Sequence, residues 1–120
     1  MARVLIVDDD PNLTRNMKRF LEGDGHEVVA ARDGLEALAL VNERDFDVAF
    51  IDIVMPKVDG LTLKRRLEED HRRVRIVVMS AYKDVLDIQE GALGSVLFLT
   101  KPFALDEARI ALNTALQGEA

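Results

Sequence analysis

The sequence predicts a doubly wound α/β domain, in which helices cover both faces of a parallel five-stranded sheet. Short apolar runs alternate along the chain with amphipathic segments of helical spacing, and the connections between them are only a few residues long. Acidic residues follow two of the apolar runs, where the carboxyl edge of a parallel sheet binds ligands. These observations together favour a single ligand-binding domain.

The strands are predicted from short apolar runs that end in polar or turn residues. In chain order these runs are Val4–Val7, Val28–Ala31, Val48–Ile51, Ile76–Met79 and Leu97–Leu99. We therefore predict strands at 3–8, 27–31, 47–52, 74–79 and 96–99.

The helices are predicted at 11–23, 34–44, 60–70, 84–92 and 105–117, because apolar residues recur there three and four positions apart. In chain order these residues are Leu13, Met17, Phe20 and Leu21; Leu35, Leu38 and Val41; Leu63 and Leu67; Val85 and Ile88; and Leu105, Ala108, Leu112 and Leu116. The pattern is weakest in 84–92. Asp10 before Pro11, and Asp33 three residues ahead of Glu36, predict capped starts for the first two helices.

Length and composition limit the classes of function. The 120 residues suit one domain, 1–120, and no apolar stretch is long enough to span a bilayer. The absence of cysteine excludes disulfides and thiolate chemistry and is compatible with a cytoplasmic location. The formal charge of −6 argues against nucleic-acid binding by this domain, since phosphate contacts need a positive surface.

Polar residues that could carry chemistry stand at the carboxyl ends of four predicted strands. Asp8 and Asp9 end the first strand, Asp52 ends the third, Ser80 follows the fourth and Lys101 follows the fifth. Converging carboxylates repel one another unless a cation joins them, and an all-oxygen site suits Mg2+. With a lysine and a hydroxyl to contact an oxyanion, the arrangement favours phosphoryl transfer.

Several motifs match one family in sequence order. The segment from Asp52 to Gly60 resembles the D-x-x-M-P-x-x-D-G loop of response-regulator receiver domains, and Lys101-Pro102-Phe103 resembles their K-P-F motif. The paired acids at Asp8 and Asp9, Ser80 and the aromatic Phe98 also stand where that family has them. The resemblance covers essentially the whole chain, and it implies a flavodoxin-like sheet with strand order 2-1-3-4-5.

The resemblance also implies a role for each acidic residue. Asp52 would be the phosphoacceptor, taking a phosphoryl group from a sensor histidine kinase or phosphotransfer protein. Asp9 would be a direct Mg2+ ligand together with Asp52, Asp8 a ligand through water, and the carbonyl of Val54 a main-chain ligand. Such a domain is a signalling module that catalyses only its own phosphorylation and dephosphorylation.

The remaining matched residues imply a conformational switch. Lys101 would contact the phosphoryl oxygens, the Lys101–Pro102 bond would be cis, and Ser80 would turn to hydrogen-bond the phosphate. Phe98 would then move from exposed to buried, which changes the surface formed by helix 84–92, the fifth strand and the last helix. A downstream output domain or target protein would read this surface.

Two further positions are expected to set the lifetime of the acyl phosphate. In this family the residues two positions after the phosphoacceptor and two after the switch hydroxyl flank the path of the hydrolytic water, and here they are Val54 and Tyr82. Neither side chain has a carboxylate or amide to orient a water, and both are bulky. We therefore expect slow autodephosphorylation.

Other classes of protein fit parts of the sequence. A haloacid-dehalogenase-type phosphatase would use Asp8, Asp10, Ser80 and Lys101. It would also need a late acidic pair to complete its metal site, but the acids after Lys101 all lie in or beyond the last helix. A flavodoxin would need amide-lined phosphate contacts where three aspartates stand, and a phosphate-independent receiver-like module usually lacks one of the acids or the lysine.

Overall fold

The computed structural model describes residues 1–53, 60–70, 73–81 and 97–117. Its five parallel strands form one sheet in the order β2-β1-β3-β4-β5. The strands are β1 (Arg3–Val7), β2 (Glu27–Ala31), β3 (Val48–Asp52), β4 (Arg75–Ala81) and β5 (Leu97–Lys101). The predicted flavodoxin-like order is therefore confirmed.

The structure describes four helices. They are α1 (Pro11–Gly23), α2 (Gly34–Glu43), α3 (Gly60–Asp70) and α4 (Leu105–Leu116), and each begins at its predicted residue. The helix predicted at 84–92 lies outside the described residues. None of the helices in the described ranges combines the length and apolar character that crossing a membrane would require.

The two strands on one side of the sheet extend further than their apolar runs. Ser80 and Lys101 were expected just after strands, but Ser80 lies within β4 and Lys101 is the last residue of β5. The reason is the parallel ladder, in which Ser80 pairs with Thr100 and Ala81 with Lys101. Backbone pairing with a neighbouring strand thus continues past the last apolar residue.

Alternate residues of the buried strands pack into two layers on opposite faces of the sheet. In β1, Val4 and Ile6 belong to the layer covered by α1 and α4, and Leu5 and Val7 to the layer under α2 and α3. Phe50 of the central β3 lies in the first layer and is fully buried. Burial on both faces explains why these strands are continuous apolar runs rather than alternating ones.

The first helix begins where its sequence signals predict. The side chain of Asp10 accepts hydrogen bonds from the backbone N–H groups of Asn12 and Leu13, with Pro11 in the first turn. This cap directs the chain away from β1 immediately after Asp8 and Asp9. Both acids are consequently held at the carboxyl edge of the sheet.

Candidate functional site

The site is built where β1 and β3 lie side by side at the carboxyl edge of the sheet. Val7 of β1 pairs with Ile51 of β3, so that Asp8 and Asp52 follow on neighbouring strands at the same level. Asp8 and Asp52 are buried, whereas Asp9 is exposed. The structure therefore brings together the three acids that the sequence placed at strand ends.

Both carboxylate oxygens of Asp8 are engaged. Oδ1 accepts the backbone N–H of Asp10 at 2.9 Å, and Oδ2 accepts a hydrogen bond from Nζ of Lys101 at 2.7 Å. Burial raises the pKa of Asp8 above its ordinary value, and the bonds from Lys101 and from the Asp10 amide only partly offset that effect. The side chain is thus held in one orientation at the base of the site.

Lys101 joins the two buried carboxylates. Its Nζ lies 2.7 Å from Oδ2 of Asp8 and 3.1 Å from Oδ2 of Asp52. Burial by itself lowers the pKa of Lys101, but the hydrogen bonds to Asp8 and Asp52 outweigh it and raise the pKa above its ordinary value. The lysine is therefore a charged partner that offsets the repulsion between the two acids.

The strand order explains why a long side chain is needed for this role. β4 lies between β3 and β5, so Lys101 starts two strand spacings from Asp52, about 10 Å in a typical sheet. The four-carbon stem of lysine crosses this gap while the end of the side chain stays polar. The Lys101–Pro102 peptide bond at the end of β5 is cis.

The hydroxyl expected near the site lies on β4, between the strands of Asp52 and Lys101, and the expected aromatic residue lies on β5, the strand that also carries Lys101. Ser80 is 1% exposed, and its Oγ donates to the carbonyl of Ala81 at 3.3 Å. Phe98 is half-buried and packs against the core layer under α2 and α3. The starting state of Phe98 is therefore already partly buried rather than exposed.

The acidic residues fit a hard divalent cation. Ligand oxygens of Asp8, Asp9 and Asp52 all lie within 4.8 Å of one another. Carboxylate oxygens are ligands that Mg2+ accepts, and Mg2+ commonly takes only one or two carboxylates and keeps several waters. Since Asp8 is fixed by Lys101 and the Asp10 amide, the exposed Asp9 is the acid most able to adjust to an ion.

Some predicted site residues cannot be placed, and one structural feature was missed. Val54 and Tyr82 lie outside the described residues, as does the Met55-Pro56 part of the motif. The missed feature is the close approach of Gly60 to the backbone of Asp52. In the sequence, the Asp-Gly pair at 59–60 ahead of a predicted helix is typical of a turn, and a sequence does not show how near two backbones pass.

The fold and the site together define an α/β domain with an acidic cluster, joined by a lysine, at the carboxyl edge of its parallel sheet. The model of the response regulator receiver domain matches residues 4–113. The chain therefore belongs to the response regulator receiver domain family, whose members are phosphorylated on an aspartate in two-component signal transduction. Neither the phosphatase nor the phosphate-independent module finds support among these matches.

Individual relatives agree with this assignment. The transcriptional regulatory protein TrcR of Mycobacterium tuberculosis is 40% identical over 106 residues, which are 88% of this chain and 41% of TrcR. This chain thus spans less than half the length of that curated relative. A receiver domain of a Francisella response regulator superposes with a TM-score of 0.86 at 34% identity, covering 98% of both chains.

The response regulator TrrA from Thermotoga maritima, in complex with Mg2+ and BeF, has a TM-score of 0.84 and 28% identity. The match covers 97% of this chain and 100% of the TrrA chain.

Proposed function

We propose that Asp52 is the phosphoacceptor of this receiver domain and that Lys101, Ser80 and the neighbouring acids assist the transfer. The observation that carries the proposal is the bridge from Lys101 to both Asp8 and Asp52 at the meeting point of β1 and β3. Asp52 is preferred over Asp8 because the Asp8 side chain is fully enclosed and Asp52 keeps 8% of its side chain exposed.

The transfer is a single displacement at phosphorus. A carboxylate oxygen of Asp52 forms a bond to the phosphorus of a phosphohistidine, the P–N bond breaks, and the histidine nitrogen keeps the electron pair and takes up a proton. Lys101 contacts a phosphoryl oxygen, and the hydroxyl of Ser80 donates to another after rotating away from the Ala81 carbonyl. Both groups stabilise negative charge on the transferred group.

Asp8, Asp9 and Asp52 would hold Mg2+, with the carbonyl of Val54 as a main-chain ligand. When bound, Mg2+ supplies positive charge that offsets the phosphoryl oxygens and the crowded carboxylates. Support for this assignment comes from the oxygen donors that converge within 4.8 Å and from the Mg2+ complex of TrrA.

The partners follow from the chemistry of transfer. The phosphoryl donor is a sensor histidine kinase or a phosphotransfer protein, and the signal is read by an output domain or a separate target protein. The domain itself does not bind nucleic acid, since its formal charge is −6, and it works in the cytoplasm. Its catalysis is limited to its own phosphorylation and dephosphorylation.

Labelling by a small phosphodonor tests the phosphoacceptor. The wild type should gain one phosphoryl group from acetyl phosphate when Mg2+ is present, measured as intact mass, and no group when a chelator is added. Asp52→Asn should abolish labelling, whereas Asp70→Asn, which removes an exposed aspartate at the end of α3, should leave it unchanged. Equal labelling of Asp52→Asn, or labelling that ignores the chelator, would refute the assignment.

The same reaction separates a receiver from a phosphatase. A receiver holds the phosphoryl group and binds beryllofluoride stably, whereas a phosphatase releases phosphate over many turnovers. Beryllofluoride should also shift the NMR signals of Phe98 in the wild type, and less in Ser80→Ala, if the hydroxyl and the ring form one switch. Equal shifts in both proteins would show that Phe98 responds independently of the Ser80 hydroxyl.

A further inference from the structure

The first residue of α3 lies against the end of β3. A side-chain carbon built on Gly60 would meet the carbonyl oxygen and carbon of Asp52 and the Cα of Ile53, all closer than real Cβ atoms approach such groups. Gly60 is itself buried. Backbone therefore packs directly on backbone at the peptide that carries Asp52.

We propose that Gly60 is a positioning residue for Asp52, because the missing side chain lets α3 rest on the Asp52 peptide and fix it relative to Asp8 and Lys101. The inference rests on the proposed role of Asp52 as phosphoacceptor.

Packing of α3 forces the contact. Leu63 and Leu67 are fully buried and belong to the same core layer as Ile51 of β3 and Ile53, the residue that follows this strand. Burial of these two apolar side chains favours the close approach of α3 to the sheet. The helix is thus held down on the strand, and residue 60 is where the two backbones meet.

A side chain at position 60 could not be relieved by rotation of a neighbour. The atoms it would meet belong to the main chain of Asp52 and Ile53, so either α3 or the end of β3 must move. β3 is attached there to β4 by the pairing of Asp52 with Met79 and by the bond from Ile53 N–H to the Met79 carbonyl at 3.2 Å. In this proposal the end of β3 is the part that moves, because Leu63 and Leu67 anchor α3 in the core.

The consequence for transfer follows from the geometry of the site. The Asp52 carboxylate lies 3.1 Å from Nζ of Lys101, at the distance of a single hydrogen bond. A displacement of about 1 Å can cost on the order of a hundredfold in rate when reacting groups must be aligned. Moving the Asp52 peptide should therefore slow phosphorylation even in molecules that remain folded.

Gly60→Ala tests this, with Gly23→Ala as the matched control. Gly23 is the last residue of α1, its backbone is not left-handed, and an added Cβ there meets nothing within 4 Å. With acetyl phosphate and saturating Mg2+, below the melting temperature of each protein, Gly60→Ala should label at least about tenfold more slowly per folded molecule than wild type. Gly23→Ala should label within about twofold of wild type, because its packing is undisturbed.

A purely structural role would lower the melting temperature of Gly60→Ala and leave its labelling rate per folded molecule unchanged, and that result would overturn the proposal. A wild type that fails to label refutes the proposed function instead. NMR adds an independent measurement: displaced Asp52 and Ile53 amide signals support movement of the strand end. Unchanged signals there, with shifted Leu63 and Leu67 methyl signals, mean that only the helix moved and count against the proposal.

If Gly60→Ala does not fold alone, the same measurements apply to the double variant Gly23→Ala/Gly60→Ala, in which the better helix former at position 23 offers added stability. Failure to fold in both backgrounds would make residue 60 a requirement of folding and would overturn the positioning role.

Discussion

Replacing Lys101 with methionine should destabilise the protein, and Mg2+ should remove most of the loss. Lys101 is the cation that joins the buried carboxylates of Asp8 and Asp52, at 2.7 and 3.1 Å. Methionine keeps an unbranched apolar stem of similar length and deletes the charge. The variant therefore isolates the cost of leaving the two carboxylates without their lysine.

The size of the stability loss in Lys101→Met follows from the burial of the ion pair. Removing one partner of a buried ion pair costs about 3–5 kcal/mol, because a charge stays behind in a poorly solvated place. The Lys101 side chain is 26% exposed, so water reaches part of the space and we expect a smaller loss, about 2–3 kcal/mol. Mg2+ at a hundred times its dissociation constant adds about 2.7 kcal/mol of stability, and in the variant it also supplies the missing positive charge.

Urea unfolding followed by far-UV circular dichroism, once with chelator and once with saturating Mg2+, measures the stability lost in the variant and the stability gained from Mg2+. Lys64→Met is the control, since Lys64 is also a buried lysine but its partner Glu68 is half exposed. Helix pairs of this spacing contribute about 0.3–0.5 kcal/mol, so the control should lose little stability and show no added dependence on Mg2+.

Two results would refute this reasoning. A loss below about 1 kcal/mol in chelator, which is the range of exposed pairs, would mean that other groups compensate Asp8 and Asp52. A loss that stays the same in saturating Mg2+ would mean that the lysine and the metal do not offset the same charges.

Three further predictions concern single features of the chain. Asp9→Asn should stabilise the protein in chelator by up to about 1 kcal/mol, seen as a higher melting temperature, and should abolish stabilisation by Mg2+. A lower melting temperature in chelator would contradict the crowding of charges. The double variant Val54→Asn/Tyr82→Glu should lose its phosphoryl group about tenfold faster, about 1.4 kcal/mol of barrier, and decay at the wild-type rate would exclude control by water access. Hydrogen bonds from Arg109 lower the pKa of Asp24. The pair therefore stabilises the fold at pH values above the unfolded-state pKa of Asp24. This stabilisation is lost as the pH falls through the lower, folded-state pKa. The difference in melting temperature between wild type and Asp24→Asn should vanish in that acidic range, and a constant difference would show that the ion pair is not its cause.

The sequence was sufficient for the order and kind of the described elements. Continuous apolar runs identify strands that are buried on both faces, and spacing of three and four residues identifies the helices that cover them. Asp10 with Pro11 marked the start of α1 correctly, because a cap is a local interaction between neighbours in the chain. The same local signals placed Asp8, Asp9 and Asp52 at strand ends, and parallel pairing brings such ends to one edge.

The tertiary structure decided how those residues meet. That one lysine reaches both Asp8 and Asp52 depends on the strand order and on the register of β5 against β4, neither of which is encoded locally. The extension of β4 and β5 to include Ser80 and Lys101 likewise comes from pairing between strands, since a ladder continues wherever a neighbour offers N–H and C=O groups.

The close approach of Gly60 to Asp52 also depends partly on local sequence and partly on the tertiary structure. The sequence determined that a glycine follows an aspartate at the start of a helix, which by itself indicates a turn. Only the burial of Leu63 and Leu67 against β3 sets the depth at which that helix packs, and so decides that the glycine faces the Asp52 peptide. The physical reason is that local signals fix dihedral angles and side-chain spacing, whereas distances between segments far apart in sequence are fixed by how the whole core fills its volume.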